Sequence, residues 1–309
     1  MLPLPCEMLD YVVDFLHDDK SALASCALTS RVFLAPSQLH LFNTLSFGWK
    51  ENTGFGYITK FFLEHQHLIP YVRAINMSDE VDPIRSTSEW HNTICICTII
   101  EILATLPRVR VFTLGGIVPV FKACCSTPPA YSYAPGTIQY LDLVDVRGLP
   151  HQATFQQVVR VLSLFSDIKS LHIVDTWFKE DEISEAQIGK DLAELSQGWN
   201  PSPLSLTLAG YNSGMLAPFS HLLTMRNTLR ELEELNIVCH DPDDLHCAAK
   251  ITRATSLGLI TLTIDAAHVF WDEAEHVDDE EELELITESC ENVSLSVPVL
   301  DANISLCYS

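Results

Sequence analysis

A six-residue pattern, apolar-x-x-apolar-x-apolar, recurs along most of the chain: Val72, Ile75 and Met77; Val109, Phe112 and Leu114; Ile138, Leu141 and Leu143; Ile168, Leu171 and Ile173; Leu232, Leu235 and Ile237; Leu259, Leu262 and Ile264. Looser copies fall at Leu204, Leu206 and Leu208 and at Val293, Leu295 and Val297. Each predicts a short strand whose alternate side chains share one buried face. Successive centres lie 27 to 37 residues apart, about 31 on average, a spacing in the range of stacked-repeat architectures. Helical periodicity fills several intervals, near 56–70, 90–106, 154–165, 184–198, 217–228 and 243–255.

The first 45 residues follow a different rhythm. Three short helices are expected there. Leu4 and Pro5 open the first, with Glu7 in the first turn where the helix dipole favours an acid. Asp18 and Asp19 punctuate it, a second helix runs over 21–28, and a third begins near Arg31, with Pro36 marking a turn or a restart. The first helix carries two apolar stripes, Leu9, Val12, Val13 and Leu16 on one side and Met8, Tyr11 and Phe15 on another. A module of this size cannot enclose both, so one stripe needs a partner, either the rest of the chain or another protein.

Alternating strands and helices admit two architectures. A doubly wound sheet, covered on both faces, needs nearly continuous apolar strands. Here the positions between the apolar ones include Arg110, Gln139, Tyr140, Asp142, Lys169, Ser170, His172, Glu233, Glu234, Asn236, Thr261 and Thr263. They favour an α/β solenoid whose polar strand positions line an open face. The division expected is a helical module over 1–45 and a repeating domain over 46–309, the latter interrupted by a Pro- and Tyr-rich loop near 124–136 and an acidic segment near 272–291. That segment holds eleven acids and no Lys or Arg, which reads as solvated surface, with a docking site for a basic partner as the functional alternative.

Composition narrows the function. At 47% hydrophobic and 19% charged residues the chain belongs among folded globular proteins. A formal charge of −23, from 18 basic and 41 acidic residues, argues against nucleic-acid and membrane partners while leaving room for a local basic patch. Glu7, Asp10 and Asp14 interrupt any secretory leader, and the longest apolar run, near 94–106, contains Glu101 and is too short for a bilayer. The expected compartment is cytoplasmic and/or nuclear, with the ten cysteines as thiols.

Candidate chemistry is sparse. No phosphate loop, nucleophile elbow, zinc-protease helix or calcium loop is present, and no cofactor is expected. Cys239, His240, Asp241, Asp243, Asp244, His246 and Cys247 crowd into nine residues. They are read as a strand exit and helix start, with Asp241 as cap and Pro242 in the first turn, in preference to a metal site. Asp142, Asp145 and Asp175 are read as strand-end and turn residues rather than a catalytic carboxylate set. The chain is expected not to be an enzyme.

The order "LPCEMLDYVVDFL", an acidic turn and "SALASCALTSRVF" resembles the F-box, the adaptor-binding module of SCF-type cullin-RING ubiquitin ligases, in its fungal form. Leu4, Pro5, Glu7, Met8, Leu9, Val12, Val13 and Leu16 match the first helix, and Leu23, Leu28, Ser30 and Arg31 the second part; Thr29 stands where the family usually has Val and Phe33 where it usually has Trp. The remainder resembles the irregular leucine-rich-repeat-like domain that commonly follows fungal F-boxes. The resemblance implies a Skp-type adaptor, and through it a cullin, as partners, contacted through Leu4, Pro5, Leu9, Val12, Leu16, Leu28 and Phe33. A target protein would lie on polar strand positions, with Tyr140, Asp142, His172, Glu234 and Asn236 as candidates. The competing reading is an interaction scaffold outside any ligase, with the N-terminal helices as a cap.

Overall fold

The computed structural model describes residues 5–50, 54–78, 93–120, 136–146, 154–176, 202–210, 216–224, 229–255, 259–265 and 292–296. Three helices come first: α1 (Cys6–Asp14), α2 (Lys20–Thr29) and α3 (Arg31–Phe42). Pro5 caps α1, its carbonyl accepting from the N–H groups of Met8 (3.0 Å) and Leu9 (3.3 Å). The Asp19 and Ser30 side chains accept from Ala22 and Val32 at the starts of α2 and α3, supplying partners for N–H groups that a helix leaves open. Pro36 neither stops nor restarts the chain: it sits inside one continuous helix.

The strands are β1 (Thr44–Gly48), β2 (Ala74–Ser78), β3 (Thr93–Cys95), β4 (Val111–Gly115), β5 (Val118–Val120), β6 (Gly136–Val144), β7 (Phe165–Val174), β8 (Ser205–Ala209), β9 (Glu234–Val238), β10 (Thr261–Asp265) and β11 (Asn292–Ser296). Nine of them form one sheet in the order β1-β2-β4-β6-β7-β8-β9-β10-β11, every pair parallel. Strand order follows chain order without a reversal, so the sheet lacks the switch point of a doubly wound domain. The helices α4 (Tyr57–Glu64), α5 (Ile96–Thr105), α6 (Thr154–Leu162), α7 (Leu216–Thr224) and α8 (Pro242–Ala254) lie between strands, and a 3-10 turn spans Gln66–Tyr71.

Register explains the repeat. Leu45, Ile75, Phe112, Leu141, Leu171, Leu206, Leu235 and Leu262 align as one row across the sheet, and Phe47, Met77, Leu114, Leu143, Ile173, Leu208, Ile237 and Ile264 as a second. These rows and the inward side chains of α4 to α8, such as Phe62, Ile99, Val158, Phe219 and Ala248, share a single core. Each large apolar side chain so enclosed contributes about 1.5–3 kcal/mol. The strand positions between the rows stay partly exposed, so the described helices cover one face.

Three departures from the sequence reading follow. β1 begins at Thr44, so the sheet starts before the boundary placed after residue 45; Phe42, Leu45 and Phe47 already carry the repeat spacing, but Phe42 was absorbed by the helical reading of α3. The helix expected over 90–106 begins only at Ile96, preceded by β3, which pairs with β5 in a small second sheet. Finally, Gly136, placed in the inserted loop, opens β6. The rest of that loop, the helix expected over 184–198 and the acidic segment fall outside the described residues.

Strand exits repeat as well. Gly116, Asp145 and Asp175 adopt left-handed backbone, with φ of 64, 49 and 54°. Their N–H groups donate to Val144 (3.0 Å), Val174 (2.9 Å) and Ala209 (2.7 Å) on the next strand. Aspartate is among the few non-glycine residues that accept this conformation. Asp175→Val is therefore expected to cost about 1–2 kcal/mol in urea unfolding. Burial, with Asp145 adding to it, raises the Asp175 carboxyl above its usual value. A raised folded value means that ionisation at neutral pH opposes folding, so Asp175→Asn is expected to stabilise at pH 7, and no change or a loss would contradict that assignment.

Candidate functional site

Two surfaces are available. The first is α1. Its residues at i, i+3, i+4 and i+7, namely Met8, Tyr11, Val12 and Phe15, point outward, Tyr11 and Phe15 being 59% and 71% exposed and in edge contact at 4.8 Å between ring centroids. Val13 is fully buried, and Leu9 and Leu16 are half-buried with it. Leu28 on α2, 89% exposed, and Val32 on α3 are exposed apolar side chains as well. The inner side of the module is held by Leu23, by an Asp14 Oδ1 to His40 Nε2 contact of 2.7 Å, and by packing of α3 on β1 and the 3-10 turn. Contiguous exposed apolar surface of this kind marks interaction sites in folded proteins.

Of the adaptor residues implied by resemblance, Pro5, Val12 and Leu28 are exposed, while Leu9, Leu16 and Phe33 are half-buried; Leu4 lies outside the described residues. The outward stripe is thus mainly the second one read in the sequence, Met8, Tyr11 and Phe15, joined by Val12. Helical phase shows both stripes, but only packing against α3 decides which faces inward.

The second surface is the sheet face opposite the described helices. Asn76, Thr113, Asp142, His172, Thr207, Asn236 and Thr263 align across successive strands. Beside them run Tyr140, Ser170, Ser205, Glu234 and Thr261. All five target-contact candidates, Tyr140, Asp142, His172, Glu234 and Asn236, fall on these two rows. His172, Glu234 and Asn236 line an open groove of about 480 Å³, and Tyr140 adjoins it, its hydroxyl 3.0 Å from His172 Nδ1 with the rings 4.6 Å apart.

Burial sets the charges on this face. It pushes the His172 imidazole below its usual value, opposed by Asp142 and Glu234. It pushes the Asp142 carboxyl up, opposed by His172, and the Tyr140 hydroxyl up, with Asp142 adding to the effect. His172 thus protonates more readily in the unfolded chain, so it removes stability as pH falls from about 6.5 towards its lowered value. Wild type is expected to lose stability relative to His172→Gln between pH 7 and 5 in urea unfolding; parallel curves would contradict the assignment. Asp142, with its raised value, acts in the opposite sense at lower pH.

The cluster over 239–247 is a helix start. Asp241 accepts from the Asp244 N–H (2.7 Å), the His240 N–H donates to Asp244 Oδ2 (3.1 Å), and Pro242 begins α8. Cys239 and Cys247 are buried, and burial, with Asp244 and Asp241 adding, pushes the Cys239 thiol far up, so it stays a protonated core group. Among the described residues no group of three ligating side chains is arranged for a metal, and no helix is long and apolar enough to cross a membrane.

The chain matches no family model and no curated protein. Its functional reading therefore rests on the two surfaces, an apolar helix face at one end and a polar sheet face along the repeat.

Proposed function

We propose that this protein is a substrate receptor of an SCF-type cullin-RING ubiquitin ligase. The N-terminal module docks on a Skp-type adaptor and through it reaches a cullin. The parallel-strand domain, an irregular leucine-rich-repeat-like solenoid, holds a target protein on its polar face. The chain positions the target and does no bond chemistry.

The observation that carries this reading is the outward stripe of Met8, Tyr11, Val12 and Phe15. A helical cap buries its apolar faces within its own chain; this stripe is uncovered among the described residues. Its composition, two aromatic rings with Met and Val, matches the cores of protein interfaces. The scaffold alternative draws on the packing of α3 against β1 and the 3-10 turn, which ties the module to the sheet as a cap would. Co-expression with a fungal Skp-type adaptor separates the two. A stoichiometric complex surviving purification is expected, whereas a soluble monomer free of adaptor would favour the scaffold.

A further inference from the structure

Across the middle of the polar face, side-chain size changes abruptly from strand to strand. On this face β8 contributes the small hydroxyl residues Ser205 and Thr207, while His172 on β7 stands to one side and Glu234 and Asn236 on β9 to the other. The open groove of about 480 Å³ lies between them. Neighbouring strands run about 4.8 Å apart, so the two walls rise from backbones about 10 Å apart, width for one flat group. Thr263 extends the hydroxyl lining onto β10.

The two walls differ in chemistry. One is the His172 imidazole, with the Tyr140 hydroxyl 3.0 Å from its Nδ1 and the Tyr140 ring 4.6 Å away on β6. The other is the exposed carboxylate of Glu234 beside the Asn236 amide. Asp142, the register partner of His172 on β6, brings a second carboxylate to the ring. Asp142 and Glu234 both favour the protonated imidazole, yet burial outweighs them and holds it below its usual value. At pH 7 the ring is therefore neutral and offers an uncharged aromatic surface next to negative charge.

We propose that the groove over β8 receives an arginine side chain of a bound protein segment. A guanidinium is planar, always charged, stacks on rings and donates to several acceptors at once. Glu234 supplies the charged acceptor, Asn236 and the hydroxyls of Ser205 and Thr207 supply neutral ones, and His172 supplies the stacking surface. A lysine ammonium shares the charge but has neither the plane nor the fork. A sugar would use the hydroxyls and the ring, but brings no charge to answer the carboxylates. An acidic segment would meet Glu234 and Asp142 on a chain of net charge −23. The inference rests on the reading of the polar face as a target surface and names what the target presents there; it does not depend on the adaptor.

The test uses the full chain and saturation-transfer NMR at pH 7 and constant ionic strength, with the capped tripeptide Gly-Arg-Gly as probe. Saturable binding is expected, with the citrulline form of the peptide, equal in shape but uncharged, at least about tenfold weaker and the lysine form at least about threefold weaker. Glu234→Gln keeps the size of an exposed side chain and is expected to lose at least about threefold in affinity. Glu64→Gln, on α4 and away from the groove, controls for general attraction to an acidic chain and is expected to change nothing. Absence of saturable binding, equal binding of the citrulline peptide, or equal effects of the two substitutions overturns the proposal. So does tighter binding of glucose than of the arginine peptide. Adaptor binding is measured on the same preparation: no arginine binding beside an intact adaptor complex defeats this inference alone, and arginine binding without an adaptor complex supports it while defeating the ligase reading.

Discussion

Replacing Tyr11 and Phe15 together by alanine is expected to weaken binding of a Skp-type adaptor by about 100-fold or more, while leaving the sheet domain folded. Both rings are more than half exposed and touch each other, so their removal opens no cavity inside the chain. Aromatic anchors at the centre of an interface each contribute about 2 kcal/mol or more when truncated, and neighbouring anchors do not add fully. The half-buried Leu9 and Leu16 serve as a contrast. Their truncation acts on the stability of the module and on adaptor binding together. The assignment fails if the double variant keeps its affinity, or if its unfolding shifts as much as its binding.

A loss of about 3–5 kcal/mol is expected for Phe112→Ala in urea unfolding. Phe112 is fully buried in β4, with Ile75 and Leu141 as its register partners and the Phe165 ring at 6.1 Å. Globular domains hold only about 5–15 kcal/mol in total, so this one change removes a large share. The adjacent Thr113 is half-buried on the opposite face, and Thr113→Ala is expected to cost less than about 0.5–1 kcal/mol. Equal costs for the two substitutions would mean that both faces of the sheet are covered, contrary to the alternation of buried and half-buried positions along β4.

That alternation is also why much of the sheet was legible in the sequence. A strand with one covered face must place an apolar residue at every second position, and the triplets centred on Ile75, Leu141 and Leu235 do so. Where every position is apolar the signal vanishes. From Ile94 to Leu106 the run is nearly all apolar, so β3 merged with α5. β1 was hidden for another reason: Phe42 fits the end of a helix and the start of a repeat equally well.

The surfaces were legible only in part. The polar rows were readable because residues at equivalent repeat positions meet in register, as Asp142 and His172 do. The outward stripe of α1 was not, since its choice depends on which side α3 covers. The groove lay further out of reach: His172 and Glu234 are 62 residues apart, and only the placing of β8 between β7 and β9 makes them its two walls.

The most direct test of the receptor reading is amide hydrogen exchange on the full chain, free and with a purified Skp-type adaptor. The account predicts new protection concentrated on α1 around Met8 to Phe15 and on α2 near Leu28, with the sheet unchanged. Protection confined to the sheet, or none anywhere, would contradict it and leave the three helices as a cap.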